Sequence, residues 1–220
     1  SSKATQENII SYEIDKAVDN MNLYKGLTKT KALYQIYNEV FEEGIEPLMP
    51  AISLIDYEEG EKTFELNGFG CFKEDKFVEY FDAKYIPFYA SFINNLGGGI
   101  VSVPIEENGY INCEIIGAKT KYKTKLINEE FHLFLTMEIE FTLGGNSTDD
   151  KVKINNFTPK DYKRIFDDFW VKNCKELLED IRNNVKTDVL GIERSFYRKS
   201  YKNWKKYHTT YKTFDKKTVR

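Results

Sequence analysis

With three cysteines, two histidines and five prolines among 220 residues, the chain has little material for several kinds of chemistry. Cys71, Cys113 and Cys174 are widely separated, odd in number and form no C-x-x-C pair. That excludes the usual zinc and thioredoxin-like spacings and argues against a disulfide scaffold. Each cysteine lies among apolar neighbours and reads as a small buried hydrophobe. His132 falls on the polar face of a strand pattern and His208 in a basic tail, so neither has a partner at metal-ligand spacing. Serine–histidine or cysteine–histidine catalysis would need one of these two, and no nucleophile-elbow sequence is present. No apolar run approaches the roughly 18 residues that span a bilayer. The opening Ser1 to Asn8 lacks the charged and apolar regions of a signal peptide and has no cysteine to take a lipid. A soluble chain is the expectation.

Two further motifs lose their functional reading. Gly97-Gly98-Gly99 lacks a G-K-[ST] ending and leaves a helix pattern instead of opening one, the wrong polarity for holding phosphate. It reads as a turn. Glu58-Glu59, Asp149-Asp150 and Asp167-Asp168 fall on solvated turns or a helix's polar face. No catalytic, cofactor-binding or metal-ligating residue is therefore assigned, and the chain is expected not to be an enzyme.

What is abundant is apolar and aromatic material. Hydrophobic residues make up 41% and aromatics 15%, enough for a substantial core and against intrinsic disorder. The net charge of −3 hides an asymmetry. From Asp188 to Arg220 there are ten Lys/Arg against three Asp/Glu, so this stretch carries +7 and the first 187 residues −10. An acidic body thus bears a basic tail in which Tyr197, Tyr201, Trp204, Tyr207, Tyr211 and Phe214 alternate with lysines. Disordered tails carry few aromatics, so this one is expected to fold or dock.

Periodicity gives the order of elements. Ile10, Ile14, Ala17, Val18 and Met21 recur at helical spacing, and Leu33, Ile36, Tyr37, Val40 and Phe41 form a second helical stripe that stops at Gly44. Pro47-Leu48-Met49-Pro50 reads as a boundary, dividing a helical segment over 1–50, the end of a preceding domain, from a domain over 51–220. Beyond it the period changes to two. Phe64, Leu66 and Phe72 share a strand parity with Gly68 and Gly70, where a neighbouring group is expected to approach closely. A helix follows over about 83–94, then strands over 100–103, 110–116, 120–127 and 131–143. In the last, Phe131, Leu133, Leu135, Met137, Ile139, Phe141 and Leu143 alternate with mostly polar residues. A shorter strand is expected around Val152 and Ile154.

Thr158, Pro159 and Asp161 then spell a helix start with a capping box. One stripe from Tyr162 through Phe166, Trp170, Cys174, Leu177 and Ile181 to Val185 predicts a long helix that ends before Gly191, with short helices from Ile192 to Lys206. The fold class is α+β: an antiparallel β-meander sheet packed against one long C-terminal-half helix, with two N-terminal helices and short helices after the long one.

Certain phrases in this order carry a resemblance. They are Pro50-Ala51-Ile52-Ser53-Leu54, the run Leu66-Asn67-Gly68-Phe69-Gly70-Cys71-Phe72-Lys73-Glu74-Asp75-Lys76, Gly97-Gly98-Gly99-Ile100 and Cys113-Glu114-Ile115-Ile116-Gly117-Ala118-Lys119-Thr120-Lys121. After the long helix come Thr187-Asp188-Val189-Leu190-Gly191 and Asn203-Trp204-Lys205-Lys206. From about Gly44 to Phe214 the chain resembles the C-terminal domain of the C-subunit of GerA-type spore germinant receptors, the Ger(x)C lipoprotein family. It departs from that family at Tyr201, where a proline is usual, at Gly191-Ile192-Glu193, where glycine-aromatic-glycine is usual, and at its terminus. The family's lipid-modified cysteine and N-terminal domain have no counterpart here, so the expectation is an excised soluble fragment.

The resemblance implies a lipid-anchored subunit at the spore inner membrane, acting in germination through contacts with two integral-membrane subunits, A and B, of a nutrient receptor. It implies no catalytic residues and no cofactor. Whether the subunit touches the small-molecule germinant stays open. The surface expected to make contacts is the basic, aromatic one of Arg198, Lys202, Trp204, Lys205 and Lys206. An anionic membrane is a second partner for it, while an acidic body disfavours nucleic acid. The alternative function is a small-ligand or hydrolytic domain with a pocket between sheet and long helix.

Overall fold

The computed structural model describes residues 33–56, 62–105, 109–128, 130–147 and 157–207. The helix expected over 10–21 and the strand expected around 152–154 lie outside these residues. Among the described residues six strands pair in two antiparallel meanders. β1 (Leu48–Asp56), β2 (Lys62–Lys73) and β3 (Lys76–Asp82) make one sheet, and β4 (Ile100–Ile105), β5 (Gly109–Ile127) and β6 (Glu130–Ser147) make the other. Five helices accompany them: α1 (Leu33–Phe41), α2 (Ile86–Phe92), α3 (Pro159–Asp180), α4 (Ile192–Lys199) and α5 (Tyr201–Tyr207).

Local sequence explains most of the boundaries. The Asp82 carboxylate accepts from the Lys84 N–H at 2.8 Å and starts a 3₁₀ turn over Ala83–Tyr85, which runs into α2 with Pro87 in its first turn. Thr158 and Asp161 form the expected box: the Thr158 N–H donates to Asp161 Oδ2 at 2.8 Å, and the Asp161 N–H donates to Thr158 Oγ1 at 3.4 Å. The last turn of the long helix widens to π geometry over Ile181–Val185, and Lys186, at φ 55°, stops it in the left-handed region.

The strands differ from the sequence reading in two places. Pro50 lies inside β1, which starts at Leu48, before the change of period placed at Ile52. β1 pairs only with β2, so the missing N–H falls on an edge strand, and the register shifts beside the proline between Pro50 and Ile52. The segments 110–116 and 120–127 are one strand, interrupted by a register shift between Ile115 and Gly117. That shift changes which parity faces inward. Ile111, Cys113 and Ile115 are buried before it, and Thr120 after it, while Ile116 is turned out. Gly68 meets the close approach expected of it: at φ 119° a Cβ would collide with the Phe81 carbonyl oxygen.

Both sheets, α2 and α3 share one hydrophobic core. Phe69, Cys71 and Phe81 enter from the first sheet, and Val101, Val103 and Ile111 from the second. Aromatic rings carry α3 onto this layer. Phe166 stacks on Phe141 of β6 at 4.1 Å and on Trp170 at 5.2 Å, and Trp170 meets Phe88 of α2 edge-on at 4.9 Å. The space between sheet and long helix, which the alternative function needs as a pocket, is packed with these rings and with Leu177 and Ile181. The shallow open depression of about 400 Å³ along α3 lies instead on its solvent side, between Asp168, Val171, Lys172 and Lys175.

Candidate interaction surface

Ile36, Ile45, Phe196 and Trp204 are buried yet belong to no part of the main core cluster. They come from α1, the segment after it, α4 and α5, and mark a helical corner at the end of the chain. Its hinge point is Asp188. Oδ1 accepts from the Ile192 N–H at 3.0 Å and Oδ2 from the Glu193 N–H at 2.7 Å, so the carboxylate closes the open N-terminus of α4. The Asp188 carbonyl accepts from the Glu46 N–H at 3.0 Å and ties in the segment after α1. Burial pushes the Asp188 carboxyl up to about 7 against the pull of those two N–H donors, and burial also raises Glu193 beside it.

Two glycines let the backbones meet. Gly44, at φ 82°, accepts from the Arg194 N–H at 2.8 Å, and a Cβ there would stand 2.6 Å from that nitrogen. Gly191, at φ 67°, sits against Ile45, whose Cδ1 would be 3.2 Å from an added Cβ. Neither the role of Asp188 nor the pairing of Gly44 with Arg194 was foreseen. An aspartate three residues before a glycine hints at a turn, but no local signal joins residues about 150 apart.

The five residues expected to make contacts divide by surroundings. Arg198 Nη2 holds Glu42 Oε1 at 2.7 Å, and Arg194 Nη1 holds Glu42 Oε2 at 3.2 Å, so one carboxylate fastens α1 to α4. Trp204 is buried, with its ring edge-on to Tyr197 at 5.0 Å and near Tyr201 at 6.2 Å. Lys202 and Lys205 face solvent, together with Lys199 from α4 and Tyr201, and Lys205 Nζ lies 6.0 Å from the Tyr201 ring centroid. Lys206 falls in the last turn of α5, and the tail from His208 onward lies outside the described residues.

Elsewhere the chemistry is quiet. Burial pushes Cys71 and Cys174 up to about 12 and Cys113 up to about 11, so all three stay as thiols at neutral pH and are poor nucleophiles. His132 lies on β6 with its ring near Phe134 at 6.3 Å. Among the described residues no group of three or more His, Cys, Asp or Glu is placed to hold a metal ion. Among the same residues no helix is long and apolar enough to cross a membrane.

Comparison with known proteins points in one direction. A family model described as spore germination B3/GerAC-like, C-terminal, matches residues 67–219. The crystal structure of the GerBC protein is similar in fold, with a TM-score of 0.58 and 19% sequence identity, over 84% of this chain and 58% of that one. The chain thus spans less than two thirds of the GerBC protein, and at this identity the likeness concerns the fold. No curated protein matches the sequence.

Proposed function

Because the chain belongs to the spore germination B3/GerAC-like C-terminal family, we propose that it works in a membrane-associated germinant receptor as a non-enzymatic subunit domain. On this reading it acts by touching the receptor's integral-membrane subunits and is held at the spore inner membrane by a lipid anchor on a preceding part of the protein. Residues 1–50 lead from that preceding part into the domain over 51–220. The family match carries the reading. It is supported by the solvent-facing lysines of α4 and α5, which sit on a corner built apart from the main core.

The contact surface is Lys199, Lys202 and Lys205 with Tyr201, while Arg198 and Trp204 hold that surface in shape. Lysine suits a broad anionic partner, since its charge is a compact point with no fixed fork geometry. The test is affinity capture of the two integral-membrane subunits, co-produced with the wild-type domain or with a K199E/K202E/K205E variant. Capture by the wild type and its loss in the triple variant, with an unchanged melting point, is the expected result. Equal capture by both would remove this surface from the proposal. Binding of the wild type to anionic vesicles without capture of either subunit would assign the surface to lipid instead.

A further inference from the structure

Beyond Ile115 the second sheet changes character. β4 pairs with β5 only over residues 109–114, so among the described residues the rest of β5 pairs with β6 alone. Ile111, Cys113, Ile115 and Thr120 of β5 are buried, and none of its residues after Thr120 is. The outer part of the hairpin is therefore a two-stranded ribbon that stands off the core, with Lys121 to Ile127 reaching about 20 Å. Its sequence alternates. Lys121, Lys123 and Lys125 share one face at intervals of about 7 Å, opposite Thr136, Phe134 and His132 of β6, and all three lysines are exposed. Lys121 Nζ holds Glu138 Oε1 at 2.5 Å, on the side toward the core. Among the described residues no carboxylate pairs with Lys123 or Lys125. Lys125 Nζ lies instead 5.7 Å from the centroid of the Phe134 ring, which is 47% exposed.

The end of the ribbon is aliphatic. Leu126 and Ile127 are each 38% exposed and, as neighbours in a strand, stand on opposite faces. Lysine carries its charge on a long apolar stem, so it can lie along such groups and still reach a headgroup. Aliphatic side chains at the end, an exposed ring behind them and lysines free of carboxylates fit a bilayer with anionic headgroups. Two other occupants fit less well. Single-stranded nucleic acid needs rings free to stack on bases, and the His132 and Phe134 rings stack on each other at 6.3 Å. A folded acidic protein is gripped by a desolvated pocket, which a narrow ribbon standing off the core does not form. We propose that the outer part of the β5–β6 hairpin docks on an anionic lipid bilayer, with Leu126 and Ile127 entering the headgroup layer and Lys121, Lys123 and Lys125 meeting lipid phosphates. This rests on the reading that the protein works at a membrane, and it assigns the lipid contact to a surface other than the α4 and α5 lysines.

The test is flotation of the full 220-residue chain with phosphatidylcholine vesicles that contain or lack phosphatidylglycerol. The wild type is expected to float with the anionic vesicles and not with the neutral ones, and to be released as salt rises. A K121E/K123E/K125E variant is expected to bind more than about tenfold more weakly with an unchanged melting point. Neutral K121Q/K123Q/K125Q is expected to lose less, and L126D/I127D to weaken binding while keeping all three lysines. Trp170 and Trp204 are buried, so the added emission of an F134W variant reports the ribbon and is expected to shift to the blue on anionic vesicles alone. A wild type that ignores anionic vesicles at low salt would overturn the proposal. Binding abolished in K199E/K202E/K205E but kept in K121E/K123E/K125E would assign lipid to α4 and α5 and overturn it too. So would a chain that binds polyglutamate and leaves the vesicles unbound, since the lysines would then serve an acidic protein segment. No receptor subunit takes part, so failure here is distinguishable from failed capture of the integral-membrane subunits.

Discussion

The sheet core and the helical corner are held together by different physics. In the core, Leu177, Ile181, Val185 and Phe81 are fully enclosed, and aromatic rings from three elements interlock across the α3 interface. The stabilisation is burial and dispersion, spread over many contacts, with Gly68 against Phe81 the close backbone approach among them. The corner buries far less. It depends on two glycines, one carboxylate that accepts backbone N–H groups, and one glutamate shared by two arginines. The core is therefore robust and the corner specific. The exposed lysines of α4 and α5 sit on this corner, outside the main core, the place from which a binding surface is able to adjust.

A cavity in the core gives the largest effect. Leu177→Ala removes a side chain with no exposed surface and is expected to cost about 3–5 kcal/mol. Chemical denaturation checks it, and a loss below about 1 kcal/mol would mean that α3 is not locked against the sheets.

Titration of the corner comes next. Asp188 binds its proton more tightly when folded than when unfolded, so its contribution is complete below the unfolded value of 3.8 and is lost as pH rises through about 7. The upper bound of this loss is about 4 kcal/mol, set by the size of the shift, and Glu193 works in the same direction. The melting temperature is expected to fall between pH 5 and pH 8, and to fall less in Asp188→Asn. Parallel melting curves for the two proteins across that range would remove Asp188 as the cause.

The smallest effect is expected at Arg198. Its bond to Glu42 is largely exposed, and Arg194 holds the other oxygen of the same carboxylate. Arg198→Ala is therefore expected to cost less than about 1 kcal/mol in stability. Hydrogen exchange should accelerate in α1 and leave the strands unchanged. Faster exchange in the strands as well would join the corner to the core as one cooperative unit.

Much of the core was legible because its signals are local. Alternation along β6, the Thr158–Asp161 box and the stripe from Tyr162 to Val185 each lie in one short window, and each element formed close to where its pattern placed it. The corner was not legible. Arg198 and Trp204 stood in the sequence as members of a basic and aromatic set expected to fold or dock, and no local pattern told that Arg198 reaches Glu42 or that Trp204 is enclosed beside Tyr197. Composition records which groups are present and says nothing about which of them meet.

By itself the sequence determined the α+β class, the order of strands and helices, and the buried faces that periods of 2 and 3.6 impose. Tertiary structure decided that six strands divide into two meanders, that a register shift beside Gly117 changes the inward parity of β5, and that Pro50 is accommodated on an edge strand. It also decided that Gly44 and Asp188 bring α1 onto α4. The physical reason is range. A cap or a periodic stripe is fixed by neighbours within a few residues, whereas a bulge, a sheet edge or a backbone-to-backbone contact is fixed by whatever distant segment packs there.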